Sequence, residues 1–376
     1  MSIKIFHLIE TLSRGGAEKR LINDLSYLDK NKFSNAVCHI FNGCELKEKI
    51  IGLGIPVYNL GLKNHYEFVK AISRLSRIIR EFRPDIIHTQ LFAADIYGRI
   101  MSKLFGIPVI STIQSSAYEP VIEFFRSRKR KWIDSISGRL FNRKFIAVSS
   151  FVKTSVIKRL GFPENNIEVI YNYLDDDYFS ESQYNRIKLR ENLGLKEEEK
   201  VLITVGKLNP PKGHSYLFEA MSLVKKHHNR VKLLVVGDGQ SMDDLVRLRN
   251  ELILRDSIVF LGRRDDVREL IFLSDIFVFP SLSEGLPMSL LEAMAMAKPC
   301  LAFNLGPMSE IIKDGKTGLL VEPQNPTALA EAILNLITDS NKAFNFGIAA
   351  KDSVFNEFGP DKNINKLQTV YESLVE

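Results

Sequence analysis

The chain runs to 376 residues, 45% hydrophobic and 26% charged, a length and apolar content that can fill two or three domain cores and that exclude a disordered or repetitive polymer. Its three cysteines, Cys38, Cys44 and Cys300, share no paired spacing and read as reduced thiols rather than a disulfide framework or a metal site. The net charge of +6 is uneven: residues 1–180 carry 27 Lys and Arg against 18 Asp and Glu, residues 181–376 carry 24 against 27, so the first half expects an acidic counterpart or is a solvated basic face.

The amino terminus, MSIKIFHLIE, alternates as a short strand and lacks the charged segment and apolar run of a signal peptide. No window holds the roughly 18 apolar residues of a spanning helix, so a cytoplasmic location is expected. The first strand, 3–9, leads through Leu12-Ser13-Arg14-Gly15-Gly16-Ala17-Glu18 into the helical pattern of Leu21, Ile22, Leu25 and Leu28. Gly15 and Gly16 either let backbone approach a ligand at a helix N-terminus or make a plain tight turn. Gly52-Leu53-Gly54-Ile55-Pro56 is broken too soon by proline for a dinucleotide fingerprint and reads as a loop before a strand.

Strand-like segments at 36–41, 57–60, 86–89, 109–113 and 145–148 alternate with helical ones, notably 66–82 and 94–105. Such a series predicts a parallel sheet covered on both faces, with ligands at the strand C-terminal ends. His88, Thr89, Gln90 and Gln114 fall at two such ends, where His88 is either a working group or a structural one. The stretch VIEFFRSRKRKW sets Val121, Ile122, Phe124, Phe125 and Trp132 beside Arg126, Arg128, Lys129, Arg130 and Lys131. On a helix it suits an anionic membrane interface or a surface packed on its own domain. Aromatics among cations also suit single-stranded nucleic acid, but no nucleic-acid module motif accompanies them, and no such partner is expected. Ser149-Ser150 would cap a helix through Leu160, and a strand at 167–171 leads to Asn172-Tyr173-Leu174-Asp175. The run Asp175-Asp176-Asp177 reads as a solvated turn, so no metal is assigned. The polar stretch 180–200 would follow a crossover between domains.

A second βα series opens with the strand at 201–205 and Gly206-Lys207-Leu208-Asn209-Pro210-Pro211-Lys212-Gly213-His214. Lys207 and Lys212 would neutralise a diphosphate at a strand end, or be solvated loop lysines. Strands at 231–236 and 258–261 enter Gly237-Asp238-Gly239 and Gly262-Arg263-Arg264-Asp265-Asp266-Val267. Strands at 276–280 and 301–303, the acid Glu310 after a glycine turn, a hairpin-like turn at 315–318, a last strand at 319–321 and a terminal helix at about 360–375 complete the series.

The stretch SLSEGLPMSLLEAMAMAKP, 281–299, organises the chain. Pro287 suits a first helical turn, Leu290 to Ala297 favour helix, and Lys298-Pro299 close it. Glu284 then lies in the turn before the helix and Glu292 about two turns inside. Free N–H groups around Leu286, Met288 and Ser289 offer an anion site between two carboxylates able to accept hydroxyls. The plainer alternative is an N-terminal Glu meeting the helix dipole and an exposed Glu in mid-helix.

This stretch resembles the signature of the retaining glycosyltransferases of family four, in which Glu, seven residues and Glu recur with Gly-Leu-Pro after the first. The resemblance is strong over 201–321 and extends weakly over the rest of the chain. It implies the GT-B fold, α/β with two Rossmann-like domains facing across a cleft: an acceptor domain at 1–180, a nucleotide-sugar domain at 181–358, and a C-terminal helix at 359–376 crossing back to the first. It further implies transfer of a hexose-type sugar, with retention and without metal or cofactor, from a nucleotide diphosphate sugar, UDP in preference to GDP. The acceptor would be a hydroxyl of a saccharide, lipid-linked and used in surface glycan assembly, with peripheral contact between the basic half and the cytoplasmic face of an anionic membrane.

By the same resemblance Lys207, Lys212 and Glu284, with His88, carry catalysis. Gly15, Gly16, Gly237, Arg263, Gly285, Leu286, Pro287, Met288, Ser289 and Glu292 complete the donor site, and Gln90 and Gln114 meet the acceptor. Three departures stand out. Gln90 and Gln114 replace histidines of the family pattern and cannot titrate near neutrality. Lys207 replaces an arginine, keeping charge but losing the bidentate fork. Tyr173 replaces the glycine of an Asn-Gly-Val-Asp segment. The competing readings are an epimerase or hydrolase on the same fold, and a non-catalytic sugar-nucleotide or nucleic-acid binder.

Overall fold

The computed structural model describes residues 2–64, 67–116, 128–175 and 184–375. The chain divides into two compact units, Met1–Tyr173 with Pro360–Glu376, and Leu174–Gly359.

In the first unit the strands are β1 (Ile3–Ile9), β2 (Phe33–Phe41), β3 (Val57–Leu62), β4 (Ile86–Gln90), β5 (Val109–Ile113), β6 (Asn142–Ala147) and β7 (Ile167–Val169). They pair in parallel in the order β3-β2-β1-β4-β5-β6-β7. Helices α1 (Gly16–Tyr27), α2 (Lys47–Gly52), α3 (Phe68–Phe82), α4 (Phe92–Phe105), α5 (Arg128–Phe141) and α6 (Ser150–Leu160) make the connections. The strands are nearly continuous apolar runs because helices cover both faces. Ser149 caps α6, its hydroxyl accepting from the Val152 amide at 3.1 Å.

In the second unit β8 (Lys200–Val205), β9 (Val231–Val236), β10 (Ile258–Gly262), β11 (Ile276–Phe279), β12 (Cys300–Phe303) and β13 (Leu319–Val321) form a parallel sheet in the order β10-β9-β8-β11-β12-β13. Its helices are α7 (Arg186–Asn192), α8 (His214–His227), α9 (Met242–Glu251), α10 (Val267–Leu273), α11 (Met288–Ala295), α12 (Gly306–Ile311), α13 (Pro326–Thr338) and α14 (Ser340–Phe358). In each sheet the strand order reverses beside the first strand of the unit, at β1/β4 and at β8/β11, and ligands gather beyond the C-terminal ends at such points.

The last helix, α15 (Pro360–Glu372), packs in the first unit, where Ile364, Leu367, Val370 and Tyr371 join Ile5, Ile86 and Ile110. The buried Arg20 of α1 ties down the end of that unit, donating to Asp24 Oδ1 at 2.7 Å, the Tyr171 carbonyl at 2.8 Å and Asn172 Oδ1 at 3.1 Å. The Tyr173 hydroxyl donates to the same Asp24 oxygen at 2.9 Å.

Some boundaries differ from the sequence expectation. The strand expected over 167–171 ends at Val169. Gly52 closes the short helix α2 instead of opening a loop. Pro287 is the extended N-cap of α11, and that helix stops at Ala295, because Ala297 takes a left-handed φ of 54°. Glu292 therefore sits little more than one turn inside, and it is buried, which removes the reading of it as an exposed mid-helix acid. Val121, Ile122, Phe124, Phe125, Arg126, Asp176 and Asp177 lie outside the described residues.

Candidate functional site

The second unit builds its site from the loops after β8 and β11, on either side of the strand reversal. The first loop makes a single tight turn at Pro210–Lys212 and enters α8 through Gly213, whose φ of 65° is left-handed. A Cβ there would collide with the Pro280 carbonyl oxygen, so glycine is the residue that lets the two loops touch. They are stitched by the Leu282 amide donating to the Pro211 carbonyl at 2.7 Å and by the Ser281 hydroxyl donating to the same oxygen at 3.3 Å.

On this frame the Lys212 ammonium donates to Glu284 Oε1 and lies 5.9 Å from the Phe279 ring centroid. The Lys212 side chain keeps 26% of its surface exposed and that of Glu284 11%, so the pair stands at the rim of the loops. Lys207 is exposed and has no side-chain partner among the described residues. Beyond Glu284 the chain passes Gly285, Leu286 and Pro287 into α11, whose first-turn amides, at Met288 and Ser289, have no helical acceptor. The Ser289 hydroxyl donates to the Val205 carbonyl at 3.2 Å, holding that helix start against the end of β8. Glu292 is 1% exposed on the same helix.

The loop after β9 closes on the first. Leu208 donates its amide to the Asp238 carbonyl at 2.8 Å and Gly237 to that of Gly262 at 2.8 Å. Gly237 takes a φ of 136°, and a Cβ there would collide with the Gly206 carbonyl oxygen. Arg263, after β10, is half-exposed with Nε 3.8 Å from Asp238 Oδ2. The unit thus collects Lys207, Lys212, Glu284, the start of α11, Gly237 and Arg263 on loops at one end of its sheet. Cations with unsatisfied helical amides suit a diphosphate, and the carboxylates suit hydroxyls.

His214, the first residue of α8, carries no sequence signal. It is 4% exposed, its Nδ1 has no hydrogen-bond partner, and burial pushes its pKa down to about 4, with Lys212 adding to the shift. Among the described residues no three His, Cys, Asp or Glu side chains form a cluster able to hold a metal ion.

In the first unit the loop after β1 enters α1 through Gly15 and Gly16. The Glu18 carboxylate folds back beneath this turn, accepting from the Thr11 hydroxyl at 2.8 Å. At the end of β4, Gln90 is 2% exposed; its Oε1 accepts from Gln114 Nε2 at 3.0 Å, while its own Nε2 has no partner. The next residue, Leu91, takes φ 75° and ψ 158°, a conformation all but confined to glycine. Glu10, one residue past β1, accepts the Ala93 amide at 2.8 Å, fixing the start of α4 beside Gln90. Neither Leu91 nor Glu10 stands out in the sequence, since backbone strain leaves no mark in residue type.

His88 is placed otherwise. It is fully buried, with Nδ1 2.6 Å from the Tyr371 hydroxyl and Nε2 2.7 Å from Thr112 Oγ1. Burial holds its pKa well below the ordinary value, and its ring lies 5.4 Å from that of His7. Its Nδ1 serves the attachment of α15 to the sheet and its Nε2 meets the neighbouring strand β5, so both nitrogens of His88 are engaged inside the unit.

Residues 14–178 match the family model described as Glycosyltransferase Family 4, and residues 185–353 match the one described as Glycosyl transferases group 1. The chain is 28% identical over 313 residues to the Escherichia coli UDP-Gal:alpha-D-GlcNAc-diphosphoundecaprenol alpha-1,3-galactosyltransferase, covering 82% of this chain and 80% of that protein. It is 31% identical over 209 residues to the Bacillus anthracis N-acetyl-alpha-D-glucosaminyl L-malate synthase, covering 56% and 54%. Among solved structures it is similar to Anabaena HepE in complex with UDP-glucose, with a TM-score of 0.88 at 23% identity over 99% of this chain and all of that one. A glycosyltransferase from Rickettsia africae aligns over 100% and 99% with a TM-score of 0.81, also at 23% identity. The fold is that of the GT-B class.

Proposed function

The chain belongs to the glycosyltransferases of group 1 and family 4, and from that premise we propose that it moves a hexose-type sugar from UDP to a saccharide hydroxyl, retaining the anomeric configuration. The observation that carries the reading is the Lys212–Glu284 pair across the β8/β11 reversal, next to the N-terminus of α11. In the proposed reaction Lys212 and Lys207 neutralise the charge growing on the departing diphosphate. Glu284 accepts from donor-sugar hydroxyls, and Glu292 faces the nucleotide ribose. The bond from the anomeric carbon to phosphate oxygen breaks, the bond to the acceptor oxygen forms on the same face, and the acceptor proton passes to the leaving phosphate. No cofactor enters this scheme.

Two likenesses support the finer points. HepE is solved with UDP and with UDP-glucose, and the E. coli relative is named for a UDP-galactose donor and a diphosphoundecaprenol-linked acceptor. A lipid-linked saccharide is accordingly the proposed acceptor, used where the basic first unit meets the cytoplasmic face of an anionic membrane. On the acceptor side we assign Gln90 and Gln114 to hydroxyl recognition.

The test is the melting temperature against a panel of nucleoside diphosphates and their sugars, for the native chain, Lys212→Ala and Glu292→Ala. A ligand present at about 100 times its Kd adds about 2.7 kcal/mol. A rise with UDP that both variants lose supports the reading. A rise with GDP alone would move the donor assignment, no rise with any member at roughly millimolar concentration would defeat it, and donor turnover without acceptor would point to a hydrolase or epimerase.

A further inference from the structure

Among the described residues, helix α5 is anchored on one side. From below, Arg99 of α4 donates to Asp134 Oδ1 at 2.7 Å and to Asn142 Oδ1 at 2.7 Å. The Asn142 amide donates onward to the Ser111 hydroxyl at 2.8 Å, and Gly138 sits against the Phe162 ring. On the opposite side Trp132, Ile133 and Leu140 are 66%, 42% and 69% exposed, at spacings that place them on one helical face. A single exposed apolar side chain is ordinary, but three on one helical face make an apolar strip.

The neighbouring helices extend this face. Helix α4 packs between α3 and α5, with Phe68 of α3 in ring contact with Tyr97 at 5.8 Å and the Arg130 guanidinium 3.9 Å from the Phe92 ring centroid. Together the three helices hold eleven Lys and Arg against three Asp and Glu, a surplus of +8 that exceeds the +6 of the entire chain. Asp95 and Asp134 turn inward onto the polar network beneath, leaving Glu81 as the one exposed carboxylate on the three helices. Arg74, Arg77, Arg80, Lys103, Arg128 and Lys129 are exposed on the same three helices.

We propose that this α3–α4–α5 face docks on an anionic lipid bilayer, Trp132 and Leu140 entering the headgroup region while the cations meet lipid phosphates. Apolar insertion and a cationic rim are the two signals that together hold a protein at a membrane surface. The inference rests on the proposed lipid-linked acceptor for its purpose, and its test reads lipid binding separately from nucleotide binding.

Trp132 is the single tryptophan of the chain, so its emission reports on this face without labelling. Vesicles of phosphatidylcholine with about one third phosphatidylglycerol should shift that emission to the blue and sediment the protein, whereas pure phosphatidylcholine should do neither. Arg128→Glu with Lys129→Glu should weaken vesicle binding at least about tenfold, and roughly 0.5 M salt should do the same. Leu140→Ser should reduce sedimentation without altering the far-ultraviolet spectrum. The charge-reversed variant should keep the UDP-induced rise in melting temperature; if that rise is absent from the native chain while vesicle binding persists, only the transferase reading falls. No blue shift with anionic vesicles at low salt would overturn the proposal. So would an equal shift from a single-stranded RNA oligomer, or from raised protein concentration alone.

Discussion

The ammonium of Lys212 and the carboxylate of Glu284 are bound to each other across the point where the second sheet reverses its strand order. Each is thereby held in place by the group with which, in the proposed reaction, it would share a ligand. A nucleotide diphosphate would draw the ammonium and a sugar would draw the carboxylate, so the pair trades one partner for two.

Removing either member should therefore cost activity, and the two losses should not add. Lys212→Ala is expected to lower kcat by about 10²- to 10³-fold, the scale for deleting one electrostatic stabiliser of a developing anion. Glu284→Gln should cost less and act largely on donor KM. In the double variant the loss should fall short of the product of the single losses, because each single change also strands a charge at the rim. A kinetic cycle over the four proteins decides the point, and strict additivity would show that the pair acts as two independent groups.

His88 and Tyr371 make a prediction of a different kind, about stability. Tyr371→Phe leaves a buried imidazole nitrogen without its partner and should cost about 1–3 kcal/mol. His88→Gln should cost a similar amount, while kcat/KM of the folded protein stays within about twofold. Urea unfolding alongside steady-state rates separates the roles. An inactive His88→Gln with undiminished stability would return His88 to the catalytic group.

The order of strands and helices was legible because each parallel strand is an apolar run bounded by a turn, and the loop from Ser281 to Pro287 announced itself by its glycine, proline and acid. The exposed or buried state of individual polar residues was not. His88 lies near the end of a strand, as a ligand-facing residue does, and only Tyr371 of α15, almost 300 residues away, together with Thr112 on the neighbouring strand shows that both its nitrogens are taken. The Gly213 and Gly237 approaches were partly legible, since glycine at a strand end signals close backbone, but the carbonyls they avoid belong to other loops. Leu91 was invisible, because its positive φ contradicts its residue type.

Acid should destabilise the fold through its buried histidines. Burial pushes His7 and His214 down to about 4. Between about 6.5 and 4 the unfolded chain binds protons that the folded chain refuses, so stability is full above about 6.5 and is lost as pH falls toward 4. Asp95, pushed up to about 7 mainly by burial, acts in the opposite sense between about 4 and 7, since the fold keeps a proton that the unfolded chain releases. A single variant isolates one contribution: in His7→Gln the loss of unfolding free energy from pH 7 to about 4.5 should be smaller by about 2 kcal/mol. Urea midpoints across that range measure it, and parallel profiles for the two proteins would reject the assignment.

Gln90 offers the sharpest separation of stability from function. Its Nε2 is buried without a hydrogen-bond partner, an arrangement that costs about 1–3 kcal/mol and calls for an explanation. If the amide is kept to meet an acceptor hydroxyl, Gln90→Met should hold or raise stability by about 1 kcal/mol while raising acceptor KM about tenfold. Gln114, part-exposed, can turn its released amide to water, so the change strands no second group. The response of the melting temperature to UDP should be unaffected, because the proposed diphosphate-binding residues Lys207 and Lys212 lie in the other unit. The measurements are thermal unfolding with and without UDP and initial rates over a range of acceptor concentrations. A stability loss with acceptor KM unaltered would show that Gln90 serves the sheet end and not the acceptor.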